Sequence, residues 1–275
     1  MPQPVNLHPD WIVPQWPAPA TVRAVCTTRA GGVSLAPFDS LNLGDHVRDQ
    51  PAAVAANRHT LSESIGARPV FLQQVHGTSV VELAPELADA AVADACVTSA
   101  PGQACTIMVA DCLPVLLSNR QGTRVGAAHA GWRGLAGEGG IGVLESVFQS
   151  FWHDPVAGWS NLAIESEASE TMVWLGPCIG PDAFEVGDDV RDAFCASDAG
   201  AHRCFRTLGG DKFLADLPGL ARRRLERLGI TAVYGNDGSS QWCTVSHPSR
   251  YFSHRRDAGS LGSTGRLAAC IWLAA

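Results

Sequence analysis

The chain has 275 residues, of which 46% are hydrophobic and 17% are charged, a composition typical of compact globular proteins and not of disordered ones. Its 27 acidic residues outnumber its 20 lysines and arginines, which gives a net charge of −7. An acidic surface repels phosphate backbones, so we expect no nucleic-acid partner, and no apolar stretch of the sequence is long enough to span a bilayer.

The pattern of apolar residues, broken by glycine and proline, predicts an alternation of strands and helices. Asp49 is predicted to cap the first helix and Gly66 to end it, while Ile141 is predicted on the buried face of the second. Strands are expected at 22–28, 70–75, 78–83, 104–110, 115–118, 123–129, 172–175 and 266–273, helices at 50–65, 141–151 and 216–228, and a polar loop at 153–170. The predicted class is α+β, with mixed, largely antiparallel sheets flanked by helices.

No repeat or linker divides the chain, which predicts a single domain over residues 1–275. The N-terminus lacks the basic and apolar regions of a signal peptide. Nine cysteines are scattered without a Cys-x-x-Cys pair, which is typical of reduced thiols, and we expect a cytoplasmic protein. Cys178 lies in a tight Gly-Pro turn, where its thiol is either reactive or packed and inert.

A tight hairpin is predicted between the strands at 115–118 and 123–129. If the turn is centred between Arg120 and Gln121, the register places Cys112 opposite His129. Directly paired residues in an antiparallel ladder have Cβ atoms about 5 Å apart. A thiolate and an imidazole at that distance can share one metal ion.

His76 lies at a turn between two predicted strands and is followed by Gly77. An imidazole from this turn would complete a Cys-His-His set, and three protein ligands with an open fourth position are typical of a catalytic zinc. Asp111, beside the thiolate, is a candidate for orienting a ligand or accepting a proton. The alternative is that these are ordinary core residues on neighbouring strands.

Several long motifs occur in the same order as in the YfiH-like laccase-domain family. The resemblance runs from about residue 22 to 273, which is the expected core of the domain. It rests on Ser40–Gly44, Asn57–Arg58, Gln74–Gly77, Ala110–Val115, Ala127–Gly134, Gly176–Pro181 and Tyr251–Asp257.

The resemblance implies a YfiH-like fold and a monomeric purine nucleoside phosphorylase that also deaminates adenosine and cleaves methylthioadenosine. It implies zinc as the cofactor, with copper possible if supplied, and purine nucleosides and phosphate as the small-molecule partners. The zinc ligands of the family fall on His76, Cys112 and His129. Family members have also been described as polyphenol oxidases and as peptidoglycan editing factors, so both functions stay as alternatives.

Phosphorolysis requires a cation that holds phosphate near the ribose. Arg58 and Arg133 are candidates, because a guanidinium pairs with oxyanions in a bidentate manner, although both could be ordinary ion-paired arginines. Arg133 and Asp111 are the candidate catalytic residues, and Asn42, Arg58 and Arg133 the candidate substrate contacts. Asn42 could instead only shape its turn. The basic segment 253–256 could complete an anion site or be a solvated loop.

Three further hypotheses compete with this one. A true multicopper laccase is disfavoured, because nine histidines without a His-x-His pair are too few for its copper clusters. A metal-free cysteine hydrolase would use Cys112 as nucleophile and His129 as base. A binder of peptidoglycan precursors would show no turnover. Stretches at 138–142 and 158–170 are longer than the family pattern and are expected to reshape the pocket rim.

Overall fold

The computed structural model describes residues 6–84, 87–152 and 161–274, and within these ranges it contains thirteen strands and seven α-helices. The strands are β1 (Val22–Cys26), β2 (Arg68–Phe71), β3 (Val80–Glu82), β4 (Ala95–Thr98), β5 (Gln103–Val109), β6 (Leu113–Asn119), β7 (Val125–Ala130), β8 (Thr171–Leu175), β9 (Glu185–Gly187), β10 (Phe205–Gly209), β11 (Lys212–Ala215), β12 (Ala232–Gly235) and β13 (Leu267–Leu273). The helices are α1 (Pro51–Ile65), α2 (Trp132–Ala136), α3 (Val143–Trp152), α4 (Asn161–Ser169), α5 (Asp188–Cys195), α6 (Leu217–Arg227) and α7 (His254–Leu261).

The strands form three sheets. One has four strands in the order β1-β13-β5-β2, a second has six in the order β12-β8-β6-β7-β4-β3, and a small third has the order β10-β11-β9. The pairs β2–β5, β3–β4 and β8–β12 are parallel, and the remaining pairs are antiparallel. The predicted class of mixed, largely antiparallel sheets flanked by helices is confirmed.

The four-stranded and six-stranded sheets pack face to face, because their strands are apolar on both sides. Ile107 of β5 and Leu116 of β6 belong to the core between the sheets. Their neighbours point the other way, since side chains alternate along a strand. Met108 faces the layer that contains α1, and Val115 faces the layer that contains α3 and α6. The result is a four-layer arrangement of helix, sheet, sheet and helices.

Helices α1 and α3 cover the outer sheet faces. Leu61 and Ile65 of α1 are buried against the four-stranded sheet, and the helix ends at Gly66, whose left-handed φ of 62° allows its N–H to bond the carbonyl of Ser62. Phe148 of α3 is 1% exposed in the core on the other side. Burial of such a side chain stabilises the fold by roughly 1.5–3 kcal/mol.

Three local predictions are wrong. Asp49 does not cap α1; the cap position is Gln50, without a side-chain bond, because the Asp49 carboxylate instead accepts from Ser34 and Asn42. Ile141 is 60% exposed, since α3 begins only at Val143. The segment predicted as a loop contains α4, although residues 153–160 lie outside the described ranges.

The predicted hairpin register is also wrong. His129 pairs with Pro114, two positions from Cys112, and Ser118 pairs with Val125. The turn is longer than two residues because the Asn119 side chain accepts from the amides of Thr123 and Arg124 and holds them in a loop. A shift of two positions preserves which face each side chain occupies.

No helix in the described part of the chain has both the length and the apolar character needed to cross a membrane.

Candidate functional site

Three side chains from separate parts of the chain converge at one end of the two large sheets. His76 lies between β2 and β3, Cys112 lies between β5 and β6, and His129 is on β7. One ligand atom from each lies within 4.8 Å of the other two. The Cys112 sulfur is 3.7 Å from His76 Nε2, and the two imidazole centroids are 4.7 Å apart.

The turn that carries His76 is held by a fully buried carboxylate, Asp94. Its two oxygens accept from the successive backbone amides of Val75, His76 and Gly77 at 3.1, 2.9 and 2.7 Å. His76 itself has a φ of 61°, in the left-handed region that non-glycine residues rarely adopt. Three hydrogen bonds to one charged acceptor offset the strain of this backbone conformation.

The same carboxylate orients the second imidazole. Asp94 Oδ1 lies 2.8 Å from His129 Nδ1, and the backbone carbonyl of Asp94 accepts from the His129 amide at 2.7 Å. A histidine that donates from Nδ1 to a carboxylate presents the lone pair of Nε2 to a metal, as in the carboxylate–histidine–zinc arrangement. Asp94 therefore positions two of the three candidate ligands.

The charges of the cluster favour a thiolate. Burial opposes ionisation of Cys112, but the charge and hydrogen bond of His129, with those of His76, lower the pKa of the thiol to about 6. Burial likewise opposes protonation of His129, but the Cys112 charge and the Asp94 carboxylate raise the pKa of this imidazole to about 9. Without a metal, both shifts favour a thiolate and an imidazolium over the neutral pair.

Gly131 leaves room for the cluster. A Cβ at this position would lie 2.8 Å from His76 Cδ2 and 3.1 Å from the Cys112 sulfur. Because real Cβ atoms almost never approach another heavy atom this closely, any side chain here would displace the candidate ligands. The glycine of the His-Ala-Gly-Trp sequence is thus required by the space around the two ligands.

The donor set fits zinc. With Zn–S and Zn–N distances of about 2.3 and 2.05 Å, a tetrahedral ion separates the sulfur and nitrogen by about 3.6 Å, close to the 3.7 Å between Cys112 and His76. Two imidazoles and one thiolate are also donors that copper accepts. The three residues could therefore hold a metal ion, and the expected convergence on one site is confirmed.

A cavity of about 360 Å³ opens above the three residues, within the range of small-molecule sites. One part of its wall is apolar and comes from Trp132, Ile179, Phe184 and Leu217. The wall also contains polar and charged residues, namely His46, Gln74, Asp111, His254, Arg255 and Arg266. An apolar wall with a few polar groups is typical of a small-molecule binding site.

Asp111 lines this cavity, but its carboxylate oxygens are engaged within the protein. Oδ1 accepts from the Thr244 hydroxyl at 2.5 Å, and Oδ2 accepts from the Arg255 amide at 2.6 Å. Its φ of 93° turns the chain between β5 and β6, which brings Cys112 beside His76. These contacts give Asp111 a positioning role, and its direct part in proton transfer stays a prediction.

The three predicted substrate contacts lie outside the wall of this cavity. Asn42 is fully buried, and its amide bonds Gly44, Asp49 and Arg266. Arg58 stacks on Phe71, with its guanidinium carbon 4.0 Å from the ring centroid.

Arg58 also pairs with Asp45 at 3.2 Å and lines a neighbouring cavity. Arg133 is exposed, and its guanidinium carbon lies 4.3 Å from the centroid of the Trp132 ring. The two arginines thus occupy ion-paired or surface positions. Neither stretch 138–142 nor the described part of 158–170 lines the cavity above the three candidate ligands.

Several site residues were missed from the sequence. Asp94 precedes β4 in an unremarkable Ala-Asp-Ala segment and carries no sequence signal of its role. Gln74 lies two positions before His76 in the Gln74–Gly77 motif, and its amide bonds both the carbonyl and the amide of Met108 at 2.8 Å. Of the basic segment 253–256, His254 and Arg255 reach the cavity, whereas Arg256 pairs with Asp257.

The comparisons with known proteins agree with the motifs. A family model described as multi-copper polyphenol oxidoreductase laccase matches residues 23–274. The chain belongs to this laccase-domain family, also called YfiH or DUF152. A purine nucleoside phosphorylase of Pseudomonas aeruginosa is 50% identical over 264 residues, which is 96% of this chain and 98% of the relative. Escherichia coli purine nucleoside phosphorylase YfiH is 47% identical, over 95% of this chain and 98% of the relative.

Solved laccase-domain structures have the same fold. A Neisseria meningitidis protein of the DUF152 family is 46% identical, with a TM-score of 0.84 that covers 97% of this chain and all of that one. The expected YfiH-like fold is thus confirmed.

Proposed function

We propose that this laccase-domain protein is a zinc-dependent purine nucleoside phosphorylase that also deaminates adenosine and cleaves methylthioadenosine. The observation that carries the proposal is the cavity whose floor is the His76, Cys112 and His129 cluster. Support also comes from relatives that are named purine nucleoside phosphorylases and match nearly the whole chain.

The residues of the site have distinct parts in this chemistry. A zinc ion bound to the three ligands would act as a Lewis acid and make a water molecule a better nucleophile at neutral pH. Asp94 holds His129 in the tautomer that presents Nε2 and keeps His76 in place. Trp132 and Phe184 supply apolar surface for a purine and exclude water from it.

The number of candidate metal sites favours a zinc enzyme over a multicopper oxidase. A multicopper laccase needs several clustered coppers. Within the described ranges, the one group of three or more histidine, cysteine or acidic side chains close enough to hold an ion is His76, Cys112 and His129. Copper supplied in excess would occupy the same three ligands.

Product analysis on metal-quantified protein tests the proposal. With adenosine and phosphate we expect adenine and ribose 1-phosphate, with adenosine alone inosine, and with methylthioadenosine and phosphate free adenine. Chelation should abolish all three reactions and zinc should restore them. His129→Ala should lose zinc and turnover, whereas His59→Ala, a histidine of α1 outside the cavity wall, should keep both. Absence of every product with zinc-loaded protein would overturn the purine assignment.

The thiolate–imidazolium pair favours one second candidate, a cysteine hydrolase. The lowered pKa of the Cys112 thiol, about 6, and the raised pKa of His129 favour the charges of a nucleophilic cysteine and its base. Such an enzyme would be inactivated by alkylation and would work without metal. Activity that survives chelation would therefore favour it over the phosphorylase.

We also propose a cytoplasmic location and a monomeric state. All nine cysteines are unpaired thiols, which is typical of a reducing compartment. Cell fractionation tests the location, and sedimentation tests the monomeric state.

A further inference from the structure

Two arginines in the cavity wall have no carboxylate partner. Among the described residues, neither Arg255 nor Arg266 forms an ion pair, whereas Arg256 and Arg224 do. Arg255 is exposed at the start of α7. Arg266 lies deeper, just before β13, and its charge interacts with those of Cys112 and Asp111. A guanidinium without a direct carboxylate contact beside a metal-ligand set is a candidate for binding an anion.

The hydrogen bonds of Arg266 leave much of its guanidinium free. Nη1 donates to the carbonyls of Thr264 and Gly265 at 2.9 and 3.2 Å. Nε and Nη2 donate to no described protein atom, and neither is among the buried side-chain atoms that lack a partner. Because these two nitrogens form one edge of the fork, they can offer two parallel N–H groups to an oxyanion.

The Ser40–Gly44 motif positions this side chain. Asn42 Oδ1 accepts from the Arg266 amide at 2.9 Å and from the Gly44 amide at 3.0 Å. A Cβ on Gly44 would lie 2.7 Å from Arg266 Cγ, so only glycine allows the arginine to run past this backbone. Asn42, with no exposed surface of its own, therefore acts on the cavity through Arg266.

The charge of the loaded site favours an anion as well. The two arginines balance the charges of Asp111 and the Cys112 thiolate, and Asp94 adds one more negative charge beside His129. A divalent ion on the three ligands then leaves the cavity net positive. A small anion compensates this positive charge.

We infer that Arg266, held by Asn42 and Gly44, forms an oxyanion subsite that binds a phosphate group within the cavity. The inference deepens the proposed function, because it assigns the phosphate subsite to residues other than Arg58 and Arg133. The phosphate is either the inorganic co-substrate or the 5′-phosphate of a nucleotide, and the two sources share the same recognition chemistry.

Kinetics and direct binding test the subsite in zinc-loaded protein. In Arg266→Gln we expect the KM for inorganic phosphate to rise about 10- to 100-fold, with zinc content unchanged and the KM for adenosine within about twofold. Arg266→Lys keeps the positive charge but loses the two parallel N–H donors, so its KM for phosphate should lie between those of the wild type and Arg266→Gln. Arg203→Gln, at an exposed arginine outside the cavity wall, is the matched control. An unchanged KM for phosphate in both Arg266 variants would overturn the subsite.

A double-mutant cycle tests the positioning role of Gly44. Gly44→Ala should raise the KM for phosphate in the wild-type background and add no further increase in an Arg266→Ala background, because the side chain it displaces is then gone. Equal effects in both backgrounds would overturn the claim that Gly44 acts through Arg266.

Calorimetric titration with inorganic phosphate, adenosine and AMP separates the two phosphate sources and needs no turnover. Phosphate binding that Arg266→Gln weakens supports the inorganic source. Tighter binding of AMP than adenosine, with the difference lost in Arg266→Gln, supports the 5′-phosphate. Phosphate binding that depends on Arg266, without phosphorolysis, would refute the proposed function but support the subsite. Phosphorolysis that is unaffected by Arg266 substitutions would support the proposed function but refute the subsite. Binding of neither anion would overturn the subsite.

Discussion

Asp94→Asn is the substitution that examines the metal centre most directly, because one carboxylate holds two of its ligands. Asp94 Oδ1 accepts from His129 Nδ1 and the His76 amide, and Oδ2 accepts from the amides of Val75 and Gly77. The substitution turns one of these oxygens into an N–H donor. Whichever way the new amide points, two donors lose their acceptor and face another donor.

The magnitude follows from those contacts. Two lost hydrogen bonds to a charged, fully buried acceptor, at about 1.5–3 kcal/mol each, lower the free energy of unfolding by roughly 3–6 kcal/mol. Loss of the partner that orients His129 lowers zinc affinity by about 10- to 100-fold. Both effects arise without any change in the three ligands themselves.

Zinc affinity is measured by competition with a chromophoric chelator, and stability by urea unfolding of metal-free protein. Asp182→Asn is the control, since Asp182 is an exposed residue that pairs with Arg206 outside the cavity wall. Should the Asp94→Asn variant be too unstable for titration, Asp94→Glu keeps the charge and moves the oxygens, so it should retain more stability but still lose zinc affinity. Wild-type zinc affinity in either folded variant would refute the positioning role of Asp94.

Two further predictions concern the cluster. In metal-free protein, the rate of Cys112 alkylation should rise as pH increases through about 6, because the thiolate is the reactive form and the pKa of this thiol is lowered. Zinc should protect Cys112 from alkylation. Mass spectrometry should show slower alkylation of Cys195, because burial raises the pKa of that thiol. A labelling midpoint above about pH 8, near the pKa of a free thiol, would contradict the ion pair. Gly131→Ala should weaken zinc binding by more than about tenfold, because the added methyl group displaces His76 and Cys112. The control Gly259→Ala should bind zinc normally, because a Cβ at that position contacts no other residue. Equal zinc affinities of the two variants would contradict the steric requirement for glycine at position 131.

The three candidate ligands predicted from the sequence do lie together, but the strand register that was expected to bring Cys112 and His129 together is wrong. The hairpin argument placed Cys112 opposite His129, whereas His129 pairs with Pro114. The error came from the turn, because the Asn119 side chain closes a longer loop and side-chain bonds of this kind leave no periodic signal. Cys112 and His129 are nevertheless close together, because Asp111 bends the chain just before Cys112.

Residues that act through long-range contacts could not be predicted. Asp94 bonds partners 17 to 35 positions away, and Arg266 is positioned by Asn42, 224 positions away. Local propensity contains no information about such pairs, whereas the runs of apolar residues located most strands, including the whole of β13. The motif Ser40–Gly44 was predicted to contact substrate through Asn42, whereas Asn42 is buried outside the cavity wall and bonds the amide of Arg266.

Two of the three candidate ligands lie on connections that pass from one large sheet to the other. The chain leaves β2 of the four-stranded sheet, presents His76 and enters β3 of the six-stranded sheet; it then leaves β5, presents Cys112 and enters β6. An ion bound there ties together the two halves of the sandwich. A ligand specific to the folded form adds about 4 kcal/mol at a thousand times its Kd, so metal supply in the cell would determine how long each molecule survives proteolysis, as well as whether it turns over substrate.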